Sequence, residues 1–178
     1  MGVYLNPGNV DFQEVLNSKI YVDKSELIQY TNSVLRTTQK YICVSRPRRF
    51  GKSMAANMLT AYYSRGCDSR EMFQGLKIAK HTGFEEHLNQ YNVIHLNMRD
   101  YLTESENMKQ LIQFVEEDLL DELQQEFADL RMPRRKTLVK VLEQAFAQYK
   151  IPFVFIIDEW DCIFRVHKSD AASQKTYL

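Results

Sequence analysis

The sequence is short of the features that would place it in a special class. Only three cysteines occur in 178 residues, Cys43, Cys67 and Cys162. They are odd in number, far apart and free of any CxxC spacing, so neither a disulfide scaffold nor a zinc site is indicated and reduced thiols are expected. Charge of one sign is also lacking: 23 Lys+Arg balance 23 Asp+Glu. A pI near 6.9 removes the argument for a general nucleic-acid binder and leaves room only for a local basic patch. No apolar run approaches the ~20 residues that a membrane span needs. The N-terminal MGVYLNPGNVDF has neither the basic nor the apolar region of a signal peptide, so a cytoplasmic protein without a membrane partner is expected. Internal repeats and low-complexity segments are absent. What is present, 44% hydrophobic and 12% aromatic residues, is the profile of one ordinary soluble domain. The charge is divided between the halves: residues 1–89 carry 12 Lys+Arg and 8 Asp+Glu, a net +4, and residues 90–178 carry 11 and 15, a net −4.

Strands and helices alternate along the chain. Residues 10–33 read as a helical lead-in, with a turn or two in VDFQEVL and a helix opening at Asp23 or Ser25. YICVS (41–45) is a short run of β-formers, then comes the loop RPRRFGKS, and MAANMLTAYYS (54–64) places Met54, Met58, Leu59 and Tyr62 at helical spacing. Residues 67–91 look irregular, with a turn or two of helix. NVIHLNM (92–98) reads as a strand. Apolar residues from Met108 to Leu130 recur at steps of three or four along an acidic helix, and Leu138 to Tyr149 mark a second amphipathic helix that Pro152 stops. FVFII (153–157) has the continuous apolar character of a parallel strand buried on both faces, and it ends in DEWD. The alternation predicts an α/β fold, a parallel sheet flanked by helices, which the loop and the acidic strand end that follow make P-loop NTPase-like. One domain over 1–178 is expected, with 10–33 as lead-in and 41–178 as an incomplete core.

Strand, G-x-x-x-x-G-K-[ST] and helix together form a phosphate cradle: successive backbone N–H groups and the helix N-terminus wrap the phosphates, while the Lys and hydroxyl meet phosphate and Mg²⁺. Here Gly51, Lys52 and Ser53 match, but Arg46 stands where the first glycine belongs and Pro47 removes a backbone donor. The bland alternative is a basic surface turn with a chance GKS. The strand ending in Asp158-Glu159 tells against it, because P-loop ATPases hold Mg²⁺ with such an Asp, and in one large branch a following Glu polarises the attacking water. For the two acids alone the alternative is a solvated strand end, with Asp161 as an N-cap.

YVDKSELI, ICVSRPRRFGKSMAANMLTAYYS, DSREMFQGLKI, the NVIHLNM strand and FVFIIDEWD resemble, in that order, the bacterial family of predicted AAA-ATPase-like proteins, whose P-loop reads RPRRFGK. The resemblance runs from about residue 10 to the C-terminus. It implies that the missing first glycine is a family trait and that Arg48 and Arg49 belong to the nucleotide loop. The nucleotide-binding set is then Arg46, Arg48, Arg49, Phe50, Gly51, Lys52, Ser53 and Met54. Ser53 and Asp158 hold the metal, Glu159 is catalytic, and the cofactors are ATP (or GTP) and Mg²⁺. Family members typically continue through a further strand with a polar sensor residue, and many end in a PD-(D/E)xK nuclease-like domain, so the chain resembles the family's N-terminal part, truncated after the Walker B strand. In the sheet order 5-1-4-3-2 that a Walker B Glu suggests, the fourth strand belongs between 41–45 and 153–157. Without it, either those strands pair directly or a cleft remains, and closure by another copy or a protein partner becomes plausible.

Arg131, Arg134, Arg135 and Lys136 form a local basic run, suited to a nucleic-acid backbone or to a solvated helix connection. The four histidines have no ligand-like spacing, and Trp160 is expected to pack under the strand end. Arg165, the only basic residue close after the Walker B strand, is assigned no role. Two functions follow. One is an ATP-binding module with weak or no hydrolysis in isolation, for want of downstream sensor and arginine groups. The other is a truncated ATPase-like protein that acts as a partner-binding inhibitor of a nuclease or other nucleic-acid enzyme, for example a phage-encoded anti-CRISPR protein.

Overall fold

The computed structural model describes every residue except Met1, Arg46, Arg48, His167, Ser169 and Leu178. Helices α1 (Val10–Leu16), α2 (Glu26–Val34) and α3 (Lys52–Tyr63) open the chain, followed by two short turns, α4 (Arg70–Phe73) and α5 (Phe84–His87), with a 3₁₀ turn at Lys77–Lys80 between them. Strand β1 (Asn92–Asn97) leads into α6 (Met98–Glu104), α7 (Met108–Glu126) and α8 (Leu138–Tyr149). Strand β2 (Phe153–Asp158), α9 (Cys162–Val166) and α10 (Ala171–Tyr177) complete it.

β1 and β2 pair in parallel, Asn92 opposite Phe153 through to Asn97 opposite Asp158. Successive strand residues point to opposite faces, and both faces of β1 are covered. Val93 joins α1, α2 and α3 through Phe12, Ile28, Met58, Ala61 and Tyr62. Ile94 and Leu96 join α7 and α8 through Leu111, Leu119, Leu123, Val141 and Ala145. Burial on both sides requires the near-continuous apolar run that β1 has, and each fully buried Ile or Leu there contributes roughly 1.5–3 kcal/mol. The outer edge of β1 is capped by the N-terminal segment, where Leu5 bridges Ile94 antiparallel. The Glu122 carboxylate holds that segment by accepting the N–H groups of Val3, Tyr4 and Leu5.

The expected strand at 41–45 is not a strand. Residues 41–45 are irregular and exposed, Tyr41 by 84%. β-forming side chains favour a strand only where a ladder partner satisfies their backbone, and among the described residues β2 pairs with β1 alone. The second edge of β2 faces a cleft, the arrangement expected if direct pairing fails. β2 also departs from burial on both faces: Phe155 and Ile157 are 51% and 47% exposed and line the cleft.

Candidate nucleotide site

The ends of α3 fix where the loop lies relative to the sheet. Ser64, just past α3, bridges Tyr91, just before β1, and the Tyr91 N–H donates to the Tyr63 carbonyl at 3.0 Å. Midway, the Thr60 hydroxyl bonds His95 Nδ1 at 3.1 Å. α3 therefore runs antiparallel to both strands, and its N-terminus stands at their C-terminal ends, where α/β proteins bind ligands. Lys52 and Asp158 accordingly line one cleft of about 950 Å³. Much of the remaining wall is apolar, Leu27 and Val34 of α2, Leu59 of α3, Ile42 and Val44 before the loop, and Phe155 of β2, with Thr31, Lys40 and Ser45 among them. An apolar body with a few polar groups at one end is the usual make-up of a small-molecule site.

Gly51 caps α3 with φ +75°, a left-handed conformation that glycine adopts without steric cost. Its carbonyl accepts the Ala55 N–H at 3.0 Å, the first bond of the helix. Arg49 also has positive φ, +68°, a strain on the order of 1–2 kcal/mol for a side-chain-bearing residue. Lys52 Nζ reaches the Pro47 carbonyl at 3.5 Å. Phe50 and Met54 are 61% and 39% exposed, and Ser53 lies exposed on the first turn of α3. Arg46 and Arg48, assigned to the loop from sequence, lie outside the described residues.

At the end of β2, Asp158 Oδ1 accepts the Glu159 N–H at 2.9 Å. Glu159 has φ +53°, and its carboxylate is paired with the Arg165 guanidinium of α9, which also lies 3.5 Å from Asp161. This hydrogen bond to Glu159 is the main cause of a raised Arg165 pKa. Burial lowers the His95 pKa, with the Asp158 charge opposing it. Trp160 does not pack beneath the strand end: it is 43% exposed, meets Phe164 edge-on at 6.1 Å, and lines the cleft.

Among the described residues, no group of three His, Cys, Asp or Glu is placed to hold a metal. Mg²⁺ does not need one, because it takes one or two protein oxygens and completes its shell with water and phosphate. The Ser53 hydroxyl and Asp158 carboxylate are donors of that kind. Arg131, Arg134, Arg135 and Lys136 are exposed on the α7–α8 connection, and none of them lines the cleft. No helix among the described residues is long and apolar enough to cross a membrane. Two residues at the site carry contacts that the sequence did not disclose, Arg165 on Glu159 and Lys24 on the Phe50 carbonyl.

A parallel sheet with helices on its faces, and a lysine at a helix start beside acids at a strand end, is consistent with a P-loop-like nucleotide-binding module. The model of the AAA-ATPase-like family, described as Predicted AAA-ATPase, matches residues 7–177, and the chain belongs to that family. No curated protein matches the chain, and no solved structure does.

Proposed function

We propose that this protein binds ATP with Mg²⁺ in the cleft between α3 and β2, and hydrolyses it slowly or not at all when alone. The observation that carries the reading is that Lys52 and Asp158, 106 positions apart in sequence, line the same cleft in a chain of this family. Lys52 neutralises the β- and γ-phosphates, and the loop from Arg49 to Met54 supplies backbone N–H groups at the positive end of α3. Ser53 and Asp158 hold the metal, which supplies charge neutralisation between the phosphates. Glu159 accepts the proton of the attacking water as the bond from the γ-phosphorus to the ADP oxygen breaks. Its pairing with Arg165 favours a slow basal rate, since a carboxylate held by a guanidinium is not free to turn to the water.

The test is the effect of Mg²⁺ on ATP affinity in wild type and Asp158→Asn. Mg²⁺ strengthens binding to the wild type, and much of that increment disappears in the variant. An equal increment in both would remove Asp158 from the metal site. A second reading, a module that binds a protein partner through its sheet edge, is favoured by the open edge of β2 with Phe155 and Ile157 exposed. It predicts that Phe155→Glu abolishes partner capture in the absence of ATP as well as in its presence.

A further inference from the structure

The Asp23-Lys24-Ser25 turn that precedes α2 is fastened on both sides. Asp23 Oδ1 accepts the Ser25 N–H at 2.8 Å, and Oδ2 accepts the Lys77 N–H at 2.9 Å. Ser25 is fully buried, and its Oγ accepts the N–H of the buried Ile78 at 3.1 Å. Burial pushes the Asp23 carboxyl up, but the Ser25 hydroxyl, these two N–H donors and the Lys77 charge prevail and hold it below its ordinary pKa. Lys24 sits between two anchored residues, so its backbone is placed by the 3₁₀ turn at 77–80 and not by the nucleotide loop.

From that position its side chain reaches the loop. Lys24 Nζ donates to the Phe50 carbonyl at 2.7 Å, and it lies 3.0 Å from where a Cβ on Gly51 would stand. A trans peptide points its C=O and N–H in opposite directions. Fixing the Phe50 carbonyl toward Lys24 therefore aims the Gly51 N–H away from Lys24. Among the described residues, no second acceptor takes the remaining protons of the exposed ammonium.

We propose that Lys24 is a positioning residue of the nucleotide loop: it sets the Phe50–Gly51 peptide and adds a second ammonium to the loop that bears Lys52, for the polyphosphate of a nucleoside triphosphate. The inference rests on the ATP-binding reading above and deepens it. Fixing a donor and adding a charge both act on phosphate, so the effect grows with the number of phosphates and leaves the nucleoside alone.

The experiment titrates ATP, inorganic tripolyphosphate, AMP and adenosine into wild type, Lys24→Met, Lys24→Gln and Lys24→Arg, with Lys52→Ala alongside. A charge-assisted contact of ordinary strength predicts that Lys24→Met and Lys24→Gln weaken ATP and tripolyphosphate about tenfold or more. Adenosine affinity is unchanged, AMP lies between, and Lys24→Arg recovers most of the loss. Equal losses for all four ligands would show that Lys24 serves only the fold, and no loss for ATP would show that it does not act on the loop; either overturns the inference alone, provided Lys52→Ala still weakens ATP. If the wild type binds neither ATP nor tripolyphosphate, the ATP-binding reading and this inference fall together.

Discussion

Arg165→Gln isolates the contact that ties up the proposed water-activating carboxylate. In the folded chain the Glu159 and Arg165 side chains are 22% and 29% exposed, with Asp161 a second, longer partner at 3.5 Å. An ion pair so placed is partly screened by water and is worth about 1 kcal/mol. At that strength Glu159 is unpaired in roughly one molecule in six, since 1.36 kcal/mol is a tenfold ratio. If the free carboxylate is the form that accepts the proton from water, removing the guanidinium raises turnover up to about sixfold. The basal rate it multiplies is low, because arginine groups that stabilise transferring phosphate contribute ~10³–10⁵ in rate. The assay is phosphate release at saturating ATP and Mg²⁺ by purified wild type, Arg165→Gln and the double variant Arg165→Gln/Glu159→Gln. The gain appears in the single variant and vanishes in the double one. A fall in turnover in Arg165→Gln would refute the reasoning and place Arg165 on the phosphate instead.

Asp23→Ala leaves the Ser25 and Lys77 N–H groups without their carboxylate and is expected to cost about 1–3 kcal/mol in urea unfolding. Because the folded-state pKa of Asp23 lies below its unfolded value, that stability is present above about pH 4 and is lost as pH falls further, so the gap between wild type and variant narrows in acid. His95 and His87 titrate below their unfolded value, mainly through burial. Their contribution is complete above about pH 6.5 and is lost as pH falls below it, so the melting temperature drops from pH 7.5 to 5.5 and drops less in His95→Leu. Any nucleic-acid affinity resides at Arg131, Arg134, Arg135 and Lys136, falls roughly tenfold or more between 50 and 200 mM salt, and is lost on reversing those four charges; binding that ignores salt would refute the patch.

The regular elements legible in the sequence are those with periodicity and clear punctuation. The apolar spacing of 138–149 gives α8 with the same ends, and FVFII and NVIHLNM give the two strands within a residue. The helix α6 was not legible because it starts directly where β1 stops, with no breaker between them; its signal is Asn97, whose side chain caps the Arg99 N–H. The run at 41–45 misled because β-propensity is realised only against a partner strand, and which strands meet is not a local property. At the site, Lys52, Ser53, Asp158 and Glu159 stand out by motif. Lys24 and Arg165 do not, because their contacts to Phe50 and Glu159 span 26 and 6 residues and depend on how neighbouring turns are anchored. The DKS triplet is legible as a helix start and as part of a family resemblance, and its role as a clamp on Lys77 and Ile78 needs the fold.

The central claim, a nucleotide site built on Lys52 and Asp158, is tested most directly by calorimetric titration of ATP with Mg²⁺ into wild type and Lys52→Ala, with folding of both checked by circular dichroism. Loss of one charge-assisted phosphate contact predicts that the variant keeps its fold and binds at least about tenfold more weakly than the wild type. Equal affinity in a folded variant, or no binding by the wild type at millimolar ATP, would contradict the account.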